Sequence, residues 1–361
     1  MPTFRSDNNA GVCPEALEAI TEAAAGSATG YGDDDSTARA ERAFQDLFGC
    51  ECRVFFVATG TAANCLAVAA LSRPWERLLC YEHSHLNEDE STAPERFTGC
   101  RLTTVGTAAP WSSRLTASDV RRGAAGARGD VHQPQPGVFS FSNLTELGEA
   151  YTPEDTAALC GVAHEHGYRV HVDGARFANA VAANMSRTGN DSRTTARQLT
   201  VDAGVDALSF GGTKNGLAFG EAIVFFPRGD GTACERAAEA LPFLRKSTGH
   251  LLSKHRYVSA PFAHTIESGA WIVHAVHANT MGRTLADGMT ALGYELAFPA
   301  DASAVFVRLT PGQHAALQER GHGYYPFGPA EWSVYRLMCS YDTRAEDVDA
   351  LLADLRDVQP L

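Results

Sequence analysis

The stretch DALSFGGTKNG, residues 206–216, joins an apolar segment typical of a buried strand to a glycine-rich turn that carries a lysine. A lysine among glycines, directly after an apolar strand, is poorly placed for solvation at the surface. Close packing and partial desolvation lower the pKa of such an amine, so that its neutral form is available for a Schiff base. Lys214 is therefore a candidate catalytic residue, and the alternative is an ordinary loop lysine. The stretch is not a Walker loop, because no GxxxxGK[ST] pattern is present.

Strand-like and helix-like segments alternate on the N-terminal side of this stretch. Segment 54–58 (VFFVA) is a continuous β-branched and aromatic run that leads into an alanine-rich helix predicted over 62–71. Another helix is predicted to begin at Thr152, with Asp155 three residues on, and to end at Gly167. The other predicted strands are 77–81, 137–141, 169–173, 206–210 and 221–226. Strands separated by helices need crossover connections, so we predict an α/β fold with a mostly parallel sheet.

The pattern changes beyond residue 240. A basic stretch over 245–256 leads into a helix predicted over 266–285. Two strands and a closing amphipathic helix are then predicted over 304–309, 333–338 and 345–358. The organisation predicted from these patterns is an N-terminal arm (1–30), a large α/β domain (31–245) and a small α+β domain (246–361). We expect the arm to pack with the small domain or with a partner subunit.

Composition excludes several classes of protein. The chain has 361 residues, 44% of them apolar, and a net charge of −13. Such an acidic chain is a poor candidate for coating nucleic acid or an anionic membrane surface, and no apolar run is long enough for a transmembrane helix. The first residues lack the apolar core of a signal peptide. The nine cysteines form no CxxC pair, so we expect reduced thiols, a cytoplasmic location and no metal; metal binding through Cys50 and Cys52 is the alternative.

Three chemical features follow successive predicted strands. Thr59, Gly60 and Thr61 form a turn into a helix N-terminus, where free N–H groups and the helix dipole suit a phosphate; a turn that serves geometry only is the alternative. Asp173 ends a strand, where a buried acid needs a cation such as a protonated pyridine nitrogen; helix capping is the alternative. Lys214 follows the next strand. Ligands of open α/β sheets bind at the carboxyl ends of strands, and this set together indicates a pyridoxal phosphate (PLP) site.

The sequence also resembles a known family over nearly its whole length. It resembles the fold-type I PLP enzymes of the β-eliminating lyase superfamily, and within them the low-specificity L-threonine aldolases. The motifs most specific to this family are HVDGARFAN (171–179) and DALSFGGTKNG (206–216). The other stretches that show the resemblance are 5–8, 31–34, 59–64, 83–85 with Glu90, 145–148, 245–246 and 335–337. The resemblance implies a large domain with a mostly parallel seven-stranded sheet and a smaller α+β C-terminal domain.

Residue roles follow from the resemblance. Lys214 would hold the cofactor as a Schiff base, Asp173 would pair with its pyridinium nitrogen, and His85, followed five residues on by an acid, would stack on its ring. Gly60 and Thr61 would hold the phosphate. The groups that would bind the substrate carboxylate are Ser6, Arg176 and Arg336, and a bidentate arginine suits that task.

Three further residues are implied to act near or across a subunit interface. Lys246 lies in a segment that family members place near the active site. Arg256 would reach a neighbour's phosphate, and Tyr31 would be offered across a dimer interface. The resemblance thus implies an active site built in a homodimer, often within a homotetramer.

The implied reaction is the reversible cleavage of L-threonine, L-allo-threonine and related β-hydroxy-α-amino acids to glycine and an aldehyde. His85 is the first candidate for the base that accepts the β-hydroxyl proton, and His83 and Glu146 are alternatives. Glu146 stands where many relatives have a histidine, and Ser303 stands where asparagine is common, which leaves the base and the substrate range open. The alternatives are a β-eliminating lyase, a transaminase or an aldolase for another β-hydroxy amino acid.

Two other classes of protein fit the sequence less well. A cofactor-binding regulator would be expected to have a damaged site, yet Lys214, Asp173 and both arginines of the clamp are present. A nucleotide-binding α/β protein would fit the glycine turns, but GxGxxG with a downstream acid is absent.

Overall fold

The computed structural model describes residues 3–108, 112–126, 128–229 and 231–358. The first two residues of the predicted arm and the last three of the predicted small domain lie outside these ranges. The strands are β1 (Arg53–Val57), β2 (Glu76–Tyr81), β3 (Arg101–Val105), β4 (Gln135–Ser142), β5 (Arg169–Gly174), β6 (Ala207–Gly211), β7 (Glu221–Phe225), β8 (Ala304–Arg308), β9 (Tyr325–Phe327) and β10 (Val334–Met338).

The helices surround these strands on both faces. They are α1 (Pro14–Ala23), α2 (Asp35–Phe48), α3 (Gly60–Leu71), α4 (His85–Glu88), α5 (Ala93–Thr98), α6 (Ala117–Ala124), α7 (Pro153–Glu165), α8 (Phe177–Thr188), α9 (Ser192–Gln198), α10 (Thr232–Ser247), α11 (Arg256–Ser268), α12 (Ala270–Ala291), α13 (Pro311–Glu319) and α14 (Ala345–Asp357). Short 3-10 turns lie at Asp7–Asn9, Thr213–Asn215 and Ala330–Trp332. In the described part of the chain, no helix combines the length and apolarity that crossing a bilayer requires.

The large sheet has seven strands in the order β1-β7-β6-β5-β4-β2-β3, which confirms the predicted architecture. Among these seven strands, β7 alone runs opposite to the other six, so its pairings with β1 and β6 are antiparallel and the other pairings are parallel. Strand β3 was not predicted. It lies at the sheet edge, and most of its side chains are exposed or half-buried, so it lacks the continuous apolar run that marks a central strand.

An aromatic core joins the sheet to helices α2 and α11. The Phe44 ring packs edge-on against Phe210 at 5.0 Å, and Phe48 packs the same way against Phe226 at 4.9 Å. Phe262 of α11 contacts Phe56 of β1 at 5.4 Å. Because all these side chains are buried, α11 belongs to the core of the large sheet.

One predicted helix begins and ends as expected, whereas another is divided into two helices. The helix that begins after Thr152 has the predicted capping box with Asp155, and Gly167 follows its end with φ of +80°. The helix predicted over 266–285 is two helices, α11 and α12, because Gly269 adopts a left-handed φ of +78° between them. Apolar residues continue through this break, so the periodicity alone did not indicate it.

The first residues of the predicted arm contact the small domain, one of the two predicted alternatives, whereas α1 packs against α11 of the large core. The N–H of Phe4 donates to the carbonyl of Gly323 at 2.7 Å, and its carbonyl accepts from the N–H of Met338 at 2.8 Å. Phe4 is buried together with Leu285 of α12, whereas Trp271 at the start of the same helix packs in the large core. We therefore propose that the boundary between the domains falls within α12 rather than at residue 245.

We expect Thr152→Ala to lower the free energy of unfolding by about 1 kcal/mol, because the side chain that caps α7 is lost. Thr290→Ala is the matched control, since its hydroxyl has one hydrogen bond among the described residues, which it donates to the carbonyl of Ala286 within α12. Urea unfolding followed by circular dichroism measures both. Equal losses in the two variants would contradict a specific role of the cap.

Candidate active site

A cavity of about 660 Å³ opens at the carboxyl ends of the central strands, between the large sheet and the small domain. Asp173 at the end of β5 and Lys214 in the turn after β6 both line it. The site residues predicted from sequence that line this cavity are Ser6, Gly60, His83, His85, Glu146, Asp173, Arg176, Lys214 and Arg336. Five predicted residues are not among those that line it: Thr59, Thr61, Tyr31, Lys246 and Arg256.

Lys214 is held in the tight 3-10 turn Thr213–Asn215. A side chain at Gly211 would collide with the backbone of Ala175, and one at Gly212 would come within 2.6 Å of Phe262. The positive charge of Arg176, and then burial, lower the pKa of Lys214; nearby acids, Asp7 first, offset this in part. The direction agrees with the sequence analysis, but the neighbouring arginine is a larger cause than burial.

Asp173 is a buried carboxylate with two donors. Its Oδ1 accepts from the N–H of Ala175 and its Oδ2 from Nδ2 of Asn64, both at 2.9 Å. Burial by itself would raise the pKa of Asp173, but the Ala175 hydrogen bond and the charges of Lys214 and nearby histidines outweigh it and lower the pKa. The group therefore stays ionised and is a suitable partner for a cation in the cavity.

His171 lies on β5, two residues before that carboxylate. Its Nδ1 lies 2.8 Å from the hydroxyl of Ser140, and its Nε2 lies 2.9 Å from the hydroxyl of Ser209. Burial lowers the pKa of His171 to about 4, so the ring is neutral. No role was assigned to His171 from sequence; strand alternation, which places it on the same side as Asp173, was the available signal.

His85 begins α4 and is paired with a buried acid. Its Nδ1 lies 3.0 Å from Oε1 of Glu90, and this hydrogen bond is the main cause that raises the pKa of His85. Nδ2 of Asn64 donates to the same Glu90 oxygen at 2.8 Å as well as to Asp173. Asn64 thus connects the two acids. It was overlooked as a site residue, although it lies within the quoted motif 59–64.

Two arginines from different domains face the cavity. Arg176, beside the start of α8, forms a bidentate ion pair with the buried carboxylate of Asp7. Arg336, on β10, donates from Nη2 to the carbonyl of Arg5 at 3.4 Å, and its buried Nε has no hydrogen-bond partner among the described residues. Burial, followed by the charge of Arg176, lowers the pKa of Arg336. Arg176 and Arg336 together can bind an anionic ligand such as a carboxylate.

Glu146 is a half-buried acid in the same cavity. Its Oε1 accepts from the hydroxyl of Ser142 at 2.6 Å. Burial raises the pKa of Glu146 to about 7, and this hydrogen bond only partly opposes the shift. Such a group exchanges a proton near neutral pH.

The other predicted residues have local contacts. The hydroxyl of Thr59 accepts from the N–H of Ala62 at 3.2 Å and so caps α3. His83 is exposed and lies 2.8 Å from the carboxylate of Glu88. Thr61 is half-buried in the first turn of α3.

Tyr31, Lys246 and Arg256 are not brought together with Lys214 in this single chain. Nζ of Lys246 lies 5.1 Å from the centre of the Tyr31 ring, and Tyr31 is 52% exposed. Nε of Arg256 donates to the carbonyl of Ala23 at 2.7 Å. Their roles at an active site therefore remain predictions.

The turn of Lys214 is also supported from the side away from the cavity. Glu221 accepts from the N–H of Gly212 at 2.8 Å, and burial raises the pKa of Glu221 to about 7.

Ligand atoms of Cys13, Glu15 and His274 lie within 4.8 Å of one another near this turn, a metal-compatible spacing that was not anticipated from sequence. Burial raises the pKa of the Cys13 thiol to about 11, so it keeps its proton at neutral pH.

The residues of the cavity fit PLP. Lys214 offers an amine with a lowered pKa, and Asp173 offers an ionised carboxylate for the ring nitrogen. A Cβ at Gly60 would meet no atom within 4 Å, so the first turn of α3 leaves open space at a helix N-terminus that suits a phosphate. The buried Oδ1 of Asn64, between Asp173 and Glu90, has no hydrogen-bond partner among the described residues.

Comparison with known proteins agrees with this arrangement. The sheet order, the strand-end acid and the lysine turn define the fold of the fold-type I PLP enzymes. A threonine aldolase structure from Leishmania major matches with a TM-score of 0.89 and 25% identity over 99% of both chains. A Sphingomonas wittichii serine palmitoyltransferase matches with a TM-score of 0.71 over 98% of this chain and 86% of the other; at 17% identity it supports the fold alone.

Sequence relatives narrow the class further. Residues 3–311 match the family model of the β-eliminating lyases. Low specificity L-threonine aldolases from Pseudomonas sp. (strain NCIMB 10558) and from Pseudomonas aeruginosa are each 40% identical over 98% of this chain and 97% and 96% of their own lengths. The chain belongs to the β-eliminating lyase family.

We expect Glu90→Gln to lower the pKa of His85, because the substitution replaces the carboxyl group whose hydrogen bond raises that pKa. Glu88→Gln is the matched control: Glu88 contacts the exposed His83, likewise five residues away along the chain. NMR titration of ¹³C-labelled histidines measures the effect. A shift of the His85 signal that is the same in both variants would rule out Glu90 as its cause.

Proposed function

We propose that this chain is a PLP-dependent lyase that reversibly cleaves L-threonine, L-allo-threonine and related β-hydroxy-α-amino acids to glycine and an aldehyde. The observation that carries the proposal is the convergence of Lys214, Asp173 and two arginines from different domains on one cavity. The relatives named L-threonine aldolase, which match over nearly the full length, support the choice among fold-type I reactions.

The described residues supply the contacts that the cofactor requires. Lys214 would bind its aldehyde carbon, Asp173 would face its ring nitrogen, His85 would lie over the ring, and Gly60 and Thr61 at the N-terminus of α3 would hold the phosphate. When bound, PLP accepts the electrons of the Cα–Cβ bond.

Ser6, Arg176 and Arg336 would bind the carboxylate of the amino acid. Two guanidinium groups in a half-buried site bind a carboxylate strongly, because hydrogen bonds between charged groups strengthen when water is excluded. Binding the carboxylate at this fixed place also orients the Cα–Cβ bond that is to break.

Glu146 is the base that the site supports best for the β-hydroxyl proton. It lines the cavity, and desolvation raises its pKa to about 7, so a large fraction is ionised near neutral pH. His85 was the first candidate from sequence, but its contact with Glu90 favours its protonated form. His83 is exposed and contacts Glu88, which makes it the weakest of the three.

A second copy of the chain would supply the remaining groups. Tyr31, Lys246 and Arg256 lie outside the set that lines the cavity, so we propose that a homodimer, alone or within a homotetramer, brings them to the partner's site. All nine cysteines are free thiols, which supports the expectation of a cytoplasmic location.

The test is incubation of the purified protein with PLP and L-threonine, with assay of acetaldehyde and glycine. The wild type should release both in equal amounts. Lys214→Ala should lose turnover and the visible absorbance of the bound cofactor, because the amine that binds it is gone. Undiminished activity of Lys214→Ala would refute the assignment, and aldehyde-free turnover by the wild type would point to another reaction of the class.

Glu146→Gln should lower kcat about 10²–10⁴-fold, because general-base assistance is lost. In the wild type, kcat/KM should rise with pH through about 7, as the carboxyl of Glu146 ionises. The variant should lose this rise. The control, Glu82→Gln, changes another acid that lines the cavity and should keep the rise. If Glu146→Gln keeps the rise as well, another group accepts the proton.

A further inference from the structure

Asp7 of the N-terminal arm is a buried acid beside the cavity that Lys214 lines. It begins the 3-10 turn Asp7–Asn9, which packs against the turn Thr213–Asn215 that carries Lys214. Its side chain is only 4% exposed. An ionised carboxylate at such a place needs compensating positive charge, and Arg176, Lys214 and Arg336 all contribute to keeping its pKa low against the effect of burial.

The contact between Asp7 and Arg176 uses both carboxylate oxygens. Nε of Arg176 donates to Oδ2 at 2.6 Å, and Nη2 donates to Oδ1 at 2.9 Å. A bidentate pair determines the plane of the guanidinium as well as its position. Rotation of the Arg176 side chain would leave a buried carboxylate without a partner, which is energetically costly. Asp7 therefore restricts Arg176 to one orientation.

The same segment of the arm also reaches the second arginine. The carbonyl of Arg5 accepts from Nη2 of Arg336 at 3.4 Å. Phe4 is hydrogen-bonded on both sides within the small domain. The arm from Phe4 to Asp7 thus lies between the two arginines, one from each domain.

We propose that Asp7 is a positioning residue: it holds the guanidinium of Arg176 in the orientation that binds the substrate carboxylate, and its charge balances the two arginines beside Lys214. The first half rests on the proposed function, because it assumes that Arg176 binds an amino acid. The second half requires only the bound cofactor.

Loss of the Asp7 charge should shift the titration of the Lys214 nitrogen in one direction. The charged groups that act on Lys214 come from the arm, from β5 and the turn after it, from β7 and from α4; they are Asp7, Asp173, Arg176, Glu221 and His85. Removing the negative charge of Asp7 leaves the positive charge of Arg176 uncompensated. A protonated nitrogen at position 214 then becomes less stable, so its titration moves to lower pH.

The experiment uses the PLP-loaded enzyme and the variant Asp7→Asn. The pH midpoint of the visible absorbance of the bound cofactor should move to lower pH. Glycine binding, measured by its effect on the same absorbance, should weaken about tenfold, because a misplaced Arg176 guanidinium binds the glycine carboxylate less well. Neither readout requires turnover, so failure of the wild type to cleave threonine, which would overturn the proposed function, is distinguishable from failure of this inference.

Two control variants separate charge from packing. Asp7→Glu keeps the charge but displaces Arg176, so glycine binding should weaken while the pH midpoint stays near that of the wild type. Phe4→Leu loosens the arm without changing charge and should leave the midpoint unchanged. The inference is overturned if Asp7→Asn has the wild-type midpoint, if Phe4→Leu shifts it equally, or if Asp7→Glu binds glycine as the wild type does. If Asp7→Asn does not fold, Asp7→Glu alone decides.

Discussion

The ionised carboxylate of Asp173, buried at the end of β5, is the constraint on which the rest of the site depends. A buried charge is tolerated only where donors and opposite charges surround it. The structure supplies the Ala175 N–H, the Asn64 amide and the nearby Lys214. These groups lie in segments that follow three different strands, β5, β1 and β6, so the burial of one acid requires three separate segments to have matching geometry.

Around that acid the site alternates positive and negative charge. Asp7 is paired with Arg176, Glu90 is paired with His85, and Asn64 connects Glu90 to Asp173. The charge of Arg176, and then burial, lower the pKa of Lys214, and the nearby acids partly offset this effect. Such a network suits a cavity that must accept a doubly charged cofactor and a zwitterionic amino acid without large rearrangement.

Much of the site was accessible from sequence, because its chemistry lies in short contiguous stretches. Lys214 with its glycines and Asp173 at a strand end were candidates from residue type and position, and their occurrence together with the turn 59–61 indicated the site. The partners of these residues were not. Asn64 and Glu90 are 26 residues apart along the chain, and Asp7 and Arg176 are 169 apart, so no local pattern predicts that they touch. The split of the helix predicted over 266–285 also escaped notice, because one glycine changes the backbone direction without changing the apolar pattern.

By itself, the sequence determined the class of fold, most strands of the large sheet and the candidate residues for the chemistry, since hydrophobic periodicity and residue type are local properties. The tertiary structure alone decided the pKa values and the ion-pair partners of those residues. It raised the pKa of Glu146 to about 7, favoured the protonated form of His85 through Glu90, and paired Asp7 with Arg176. The physical reason is that burial and charge pairing depend on which distant segments pack together, and that packing is settled only when the arm and both domains enclose one cavity.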